Sequence, residues 1–167
     1  MSAYQLAQLN VGIIRGPMDS PVMAEFAASL ARINALADRA PGFVWRLQTE
    51  AGDATAIRPF EDPNLLLNMS VWRDLESLTQ YVYHSAHLEL MRRRREWFER
   101  MTQAYLVLWW VPAGHRPGIE EAIERLELLR SRGPGPAAFT FRAAFAAPDA
   151  AATAAPVVDA GEECPAT

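Results

Sequence analysis

The eight residues LLLNMSVW, from Leu65 to Trp72, constrain the fold more than any other stretch. Alternation predicts a strand with Leu65, Leu67, Met69 and Val71 on one face and Leu66, Asn68, Ser70 and Trp72 on the other. Neither face is wholly polar, so neither is suited to water. Such a strand calls for helices on one side and a second layer, or an enclosed space, on the other. Asn68 and Ser70 would be buried among apolar neighbours and would need hydrogen-bond partners. They either satisfy groups inside the protein or point at a ligand.

The remaining elements fit around that strand. Tyr4 to Ile14 alternates, with Leu6, Gln8 and Asn10 opposite Ala7, Leu9 and Val11, and Gly16-Pro17 breaks it. Asp19 or Ser20 can cap a helix with Pro21 in its first turn. Val22, Phe26, Leu30, Ile33 and Ala37 form its apolar stripe, with Asn34 at the edge, and Pro41-Gly42 stops it. Phe43 to Thr49 reads as a second strand, with Phe43, Trp45 and Leu47 opposite Val44, Arg46 and Gln48. A turn at Ala51-Gly52-Asp53, a short extension through Ile57 and a proline-bounded loop from Pro59 to Asn64 follow. Asp74 can cap a helix from Leu75 to Tyr83, and Leu106 to Val111 is a fourth strand. Ile119, Ile123, Leu126 and Leu129 mark another helix. Beyond the stiff Gly133-Pro134-Gly135-Pro136 connector, Phe139 to Phe145 reads as a fifth strand.

The order strand–helix–strand–strand–helix–strand is that of a ferredoxin-like split motif. The expected fold class is α+β: a ferredoxin-like dimeric alpha–beta barrel with an additional C-terminal helix and strand. Helices on one face of a four-stranded sheet leave the other uncovered. A homodimer packing two sheets face to face would cover it, and the fifth strand would extend its own sheet or cross to the partner. Residues 1–147 are expected to form a single domain. Alanine, proline and acidic residues dominate after Ala146, so 148–167, including Cys164, is expected to be a disordered tail.

Composition narrows the function classes. The chain has 167 residues, enough for one domain with a real core, and half of them are apolar. A net charge of −4 disfavours general nucleic-acid binding. The single cysteine allows no intramolecular disulfide and no cysteine-based metal site, which suits a reducing cytoplasm. No signal-peptide pattern and no membrane-length apolar run is present, so neither nucleic acid nor membrane is an expected partner. All five tryptophans lie between Trp45 and Trp110, either as core packing or as pocket walls.

Chemistry concentrates in YVYHSAHLELMRRRREWF, Tyr81 to Phe98. From His84 onward it fits one helix, which either continues the helix from Leu75 or follows a kink at Ser85. Its inner arc would hold His84, His87, Leu88, Leu90, Met91, Arg94, Arg95, Trp97 and Phe98. The outer arc would carry the pairs Glu89–Arg93 and Glu96–Arg100. His84 and His87 are separated by about 60° and could serve one site as acid or base near neutral pH. Arg94 could stabilise an enolate, phenolate or carboxylate in an apolar pocket, or extend to solvent as a structural side chain. Of Tyr81 and Tyr83, one should face inward on a regular helix, and Trp109 and Trp110 should point to opposite faces of the fourth strand. His-x-x-His supplies too few ligands for a metal, and none is expected. No glycine-rich phosphate or dinucleotide motif is present.

The segments YQLAQLNVG (Tyr4–Gly12), MAEFAASLARINALADRAPGFVWRLQ (Met23–Gln48), LNMSVWRDLESLTQYVYHSAHLELMRRRREWF (Leu67–Phe98) and LVLWWVPAGHRPGIEEAIERL (Leu106–Leu126) carry a resemblance covering Tyr4 to Phe145. They resemble a bacterial family of uncharacterised proteins related to the dimeric alpha–beta barrel superfamily. That superfamily includes small antibiotic-biosynthesis monooxygenases, lactone isomerases, polyketide cyclases and some haem proteins. The resemblance implies a small hydrophobic or aromatic ligand held between sheet and helices or within the barrel. It points to His84, His87, Asn68 and Trp72 as site residues; with the helical pattern added, His87, His84 and Arg94 are the expected catalytic residues and Asn68, Trp72, Tyr83, Met91 and Phe98 the expected substrate-binding ones. The function it implies is a cofactor-independent enzyme, a monooxygenase, isomerase or cyclase acting on an aromatic or polyketide-like substrate. The alternatives are a non-enzymatic small-molecule or haem-binding dimer, with haem held by one histidine, and a purely structural dimer.

Overall fold

The computed structural model describes residues 2–48 and 62–150. The expected turn at Ala51, the extension through Ile57, the start of the loop at Pro59 and the terminal segment from Ala151, with Cys164, lie outside the described residues.

Four strands form one antiparallel sheet in the order β2-β3-β1-β4: β1 (Tyr4–Ile13), β2 (Phe43–Arg46), β3 (Leu65–Trp72) and β4 (Leu106–Pro112). A 3-10 turn (Pro21–Met23) leads into α1 (Ala24–Asp38) between β1 and β2. Three short helices lie between β3 and β4: α2 (Leu75–His84), α3 (His87–Arg92) and α4 (Arg94–Trp97). The long helix α5 (Ile119–Arg132) follows β4. This strand order and connection are the ferredoxin-like α+β arrangement expected from the sequence.

Register sorts the side chains onto two faces. Leu6 lies opposite Trp72, Gln8 opposite Ser70 and Asn10 opposite Asn68. On the other side of β1, Gln8 faces Leu108 and Asn10 faces Leu106. These residues form the face under α1, α2 and α3. The opposite face carries Ala7, Leu9, Val11, Leu67, Met69, Val71, Val107, Trp109 and Val111, all buried. Ala122, Leu126 and Leu129 of α5 complete that cluster. The two-faced strands were expected to recruit a second copy of the chain; α5 lies across the face within the chain instead. Glu121 of α5 clasps the sheet, accepting from Trp109 Nε1 at 3.0 Å and meeting His115 Nε2 at 2.7 Å. Burial would raise its carboxyl pKa, but those two hydrogen bonds hold it below the ordinary value.

Four local departures from the sequence pattern matter for the site. First, β2 carries a bulge: Phe43 pairs with Trp72 and Arg46 with Ser70, while Trp45 meets Val71. The extra residue, Val44, is exposed, and Phe43 and Arg46 come to share the helix-covered face that simple alternation had divided. Second, Val22 falls in the 3-10 turn and is exposed, and Met23 is buried in its place. Third, Phe139 to Phe145 is not a strand. Phe139 makes one reciprocal bridge with Leu108, both N···O distances 2.8 Å. The Thr140 hydroxyl then accepts from Ala143 N–H and turns the chain away. Phe139 and Phe141 are nonetheless buried, so the segment serves as an aromatic plug against its own sheet.

The fourth departure is the division of the helix expected from His84 to Phe98. Ser85 is extended (φ −126°, ψ −178°). Its hydroxyl donates back to the Tyr81 carbonyl and accepts from His87 N–H at 3.2 Å. One side chain thereby closes α2 and opens α3, the competition with helical bonding expected of serine. A second break falls at Arg93 (φ −92°, ψ 2°). Arg93 bonds Glu96 at 2.7 and 3.0 Å and also pairs with Glu25 of α1, which replaces the expected Glu89–Arg93 and Glu96–Arg100 pairs.

Asp74 caps α2 as expected, accepting from Ser77 N–H at 2.8 Å. Burial would raise its pKa, but bonds from Ser77 and Arg73 keep it lowered. Asp74→Ala should cost about 1 kcal/mol of stability, read as a lower urea midpoint at unchanged slope. At the far end of the chain, Asp149 accepts from Ala3 N–H at 2.6 Å and Ser2 Oγ at 2.8 Å.

Candidate functional site

A cavity of about 40 Å³ lies between the sheet and helices α1 to α3. Its floor is polar: Gln8 and Asn10 from β1, Asn68 and Ser70 from β3, and Arg46 from β2. Its roof is mostly apolar, with His87 set among Phe26, Ile33, Val82 and Leu90. The volume suits a few water molecules or one reacting group.

The floor is one hydrogen-bonded network. Gln8 Nε2 donates to Asn68 Oδ1 at 2.7 Å and to Ser70 Oγ at 2.9 Å. Asn10 Nδ2 donates to Gln8 Oε1 at 3.2 Å, and Trp72 Nε1 donates to Ser70 Oγ at 2.8 Å. A buried polar group without a partner would cost about 1–3 kcal/mol, so this pairing is what allows four polar side chains under three helices. Ser70 Oγ accepts twice, so its own hydrogen must be donated elsewhere. Asn68 uses its oxygen on Gln8, and its Nδ2 hydrogens are donors too. No described residue accepts from either, and both residues line the cavity. Arg46 is anchored at the rim by Asp38 of α1, Nε to Oδ1 at 2.8 Å.

His87 is buried at the start of α3. Desolvation pushes its pKa down from 6.5 to about 4; the Val82 carbonyl, 3.4 Å from Nδ1, works weakly the other way. A carbonyl can only accept, so Nδ1 carries the hydrogen and Nε2 the basic lone pair. The ring is held by a column of aromatics. Phe43 meets Trp72 edge-on at 5.4 Å, Trp72 stacks on Tyr81 at 5.0 Å, and Tyr81 lies 5.0 Å from His87. Tyr81 OH donates to the Ile33 carbonyl at 3.2 Å, tying the column to α1.

Of the residues singled out from sequence, His87, Asn68 and Trp72 line the cavity together. His84 ends α2 and is exposed, because the break at Ser85 separates its direction from that of His87. It lines a different, open cleft of about 510 Å³. Arg94 does not line the cavity: its guanidinium lies over Tyr105 at 4.4 Å and Phe98 at 5.3 Å. Phe98 is buried one layer behind the wall, edge-on to Phe26 at 5.2 Å. Tyr83 stands behind Phe141 at 5.5 Å, and Met91 is buried in the same cluster. Gln8, Arg46 and Tyr81 are site residues that the sequence reading did not assign. Their signal was positional: Gln8 alternates with Asn10 on the face that meets Asn68 and Ser70.

A haem macrocycle does not fit a cavity of about 40 Å³. Among the described residues, no group of three or more His, Cys, Asp or Glu side chains could hold a metal ion, and no helix is long and apolar enough to cross a membrane.

Comparison with solved structures finds similar backbones at low identity. SnoaB, a cofactor-independent oxygenase from Streptomyces nogalater, is 20% identical with a TM-score of 0.45, covering 70% of this chain and 98% of that one. Rv0793 from Mycobacterium tuberculosis is 13% identical with a TM-score of 0.46, covering 68% and 99%. A dabb family protein with a ferredoxin-like fold from Mesorhizobium loti is 18% identical with a TM-score of 0.42, covering 66% and 99%. No curated protein matches the chain. A family profile matches residues 5–155, and the chain belongs to that family, described as a domain of unknown function (DUF3291).

Proposed function

We propose that the chain is a cofactor-independent enzyme that removes a proton from a small aromatic or polyketide-like molecule, in the service of monooxygenation, isomerisation or cyclisation. The observation that carries this reading is that His87, from the helical layer, and Asn68 and Ser70, from the sheet, line one small cavity. His87 Nε2 takes the proton from an acidic C–H or O–H. The electron pair moves onto the substrate oxygen, which Asn68 Nδ2 and the Ser70 hydroxyl stabilise by hydrogen bonds. The reacting group, rather than the whole substrate, occupies the small cavity. Isomerisation, ring closure and attack on dioxygen all begin from such an anion.

The low pKa of His87 has a consequence for this step. An imidazole held near 4 is neutral at pH 7, and its protonated form is costly unless an anion forms beside it. Proton transfer and anion formation are thereby coupled. The same fact favours a second reading, in which His87 only accepts a hydrogen bond from a bound small molecule. Deuterium exchange separates the two. In D₂O, the protein should accelerate exchange at the acidic carbon of 1,3-diketones or hydroxylated fused aromatics, followed by NMR. Asn68→Ala should slow that exchange at least about tenfold. Binding of the probes without accelerated exchange would establish the binder and reject the enzyme.

The residues that this chemistry invokes all come from one chain. Homodimer formation, also proposed, would use a surface other than the face under α5. Sedimentation at micromolar concentration giving twice the chain mass would support it, and the mass of one chain would reject it.

A further inference from the structure

We propose that the open cleft beside the cavity binds the carboxylate of an organic acid and lays its ring against Tyr81. Arg39 at the end of α1, Arg73 before α2 and His84 at the end of α2 line this cleft, with Glu76 the one acidic lining residue. Leu36 and Tyr81 supply apolar wall. At about 510 Å³ the cleft is within the usual range for small-ligand sites, unlike the enclosed cavity. Tyr81 lines both spaces and touches Trp72 on one side and His87 on another. A ring against the wall made by Leu36 and the part of Tyr81 that lines the cleft therefore lies next to the column that holds the proposed base.

The charges in the cleft are suited to a mobile anion. Arg73 Nε is 3.0 Å from Asp74 and its NH2 donates to Ser77 Oγ at 3.2 Å, yet its side chain is two-thirds exposed, 67%. An ion pair so open to water contributes little, so a ligand carboxylate can share that guanidinium at small cost. Arg39 is exposed and lines the same cleft. Two guanidiniums and a histidine beside apolar wall match a planar carboxylate attached to a ring. The exposed position of His84, which removes it from the cavity, places it with this pair.

This inference deepens the reading of the cavity as a reaction centre, naming the acid class of its substrate, but its test needs no turnover. 2-Naphthoate and the neutral 2-naphthamide serve as probes by titration calorimetry on the full chain. Naphthoate should bind at least about tenfold more tightly than the amide, and the preference should weaken with salt. Arg39→Gln should lower naphthoate affinity about tenfold and leave the amide unchanged. The Arg39 side chain makes no hydrogen bond to another described residue, and its backbone N–H, which donates to the Ala37 carbonyl, is kept in glutamine, so the substitution should spare the fold. Arg73→Gln should act in the same direction. Equal affinity for acid and amide, no binding of either, or indifference to Arg39→Gln would each overturn the proposal. Charge-dependent binding without deuterium exchange on any probe would leave this site standing and remove the catalytic reading. Exchange on neutral probes with no preference for the acid would do the reverse.

Discussion

His87→Gln should have two measurable consequences, a loss of at least about a hundredfold in deuterium-exchange rate and a flattening of stability against pH. Glutamine can hydrogen-bond but cannot take a proton. The pH effect follows from burial. The folded state holds His87 near pKa 4, while the unfolded chain has the ordinary 6.5. Between those values the unfolded state binds a proton that the folded state does not, so stability falls as pH falls through that window. Above pH 6.5 this source of loss is absent; below about 4 it is complete, at about 3 kcal/mol. Asp74 and Glu121 also have lowered pKa values and lose stability in acid, but they do so in both chains. Urea midpoints at pH 7, 5.5 and 4 should therefore fall more steeply for the native chain than for His87→Gln. Parallel curves would mean that His87 titrates alike in the folded and unfolded states, and the desolvated base of the proposed mechanism would be lost with it.

What could be read from sequence divides along physical lines. Alternation is a local signal, so β1, β3 and β4 were legible, as were the pairs Gln8–Asn10 and Asn68–Ser70 within their own strands; that the two pairs meet on one face shows only in the register. The bulge at Val44 was not, because an extra residue in a strand leaves the local pattern intact and shows only in pairing. The break at Ser85 was legible only as an alternative to a continuous helix. Serine is tolerated within helices, and its hydroxyl determines the chain path only when it takes the His87 N–H. That one bond separates His84 from His87, so a wheel drawn through both misplaced the former while placing the latter correctly. Arg94 was misplaced by the same wheel, since the second break at Arg93 aims it at Tyr105. The stripe of α5 announced a buried face without saying against what. Covering the sheet within the chain satisfies the same apolar surface that suggested a partner. Of the two tyrosines, Tyr81 faces the cavity and Tyr83 packs behind Phe141. Trp109 lies under α5, while Trp110 on the opposite face donates to the Phe145 carbonyl at 2.8 Å.

Gly42→Ala should destabilise the protein by about 2–4 kcal/mol, through two costs that can be measured apart. Gly42 has φ +82°, a conformation that costs an L side chain about 1–2 kcal/mol. A Cβ there would also stand 2.4 Å from Ser77 Cβ and 2.1 Å from Ser77 Oγ. Ser77 cannot easily yield. It is buried, its N–H is taken by the Asp74 cap, and its hydroxyl receives Arg73 NH2. The Gly42 carbonyl in turn accepts Arg73 N–H at 2.7 Å, so the turn and the first residues of α2 are bonded together. Relief of the clash must push α2 away from the sheet, loosening the Phe43–Trp72–Tyr81 column that supports His87. Gly114 provides the control, because its φ of +88° is similar while no atom lies within 4 Å of an added Cβ. Gly114→Ala should therefore show the backbone cost alone, about 1–2 kcal/mol. The excess at Gly42 measures the clash with Ser77, and it should be accompanied by a loss of exchange activity that Gly114→Ala does not show. Equal destabilisation of the two variants would mean that α2 moves aside freely, and the aromatic column would then be no rigid support for the base.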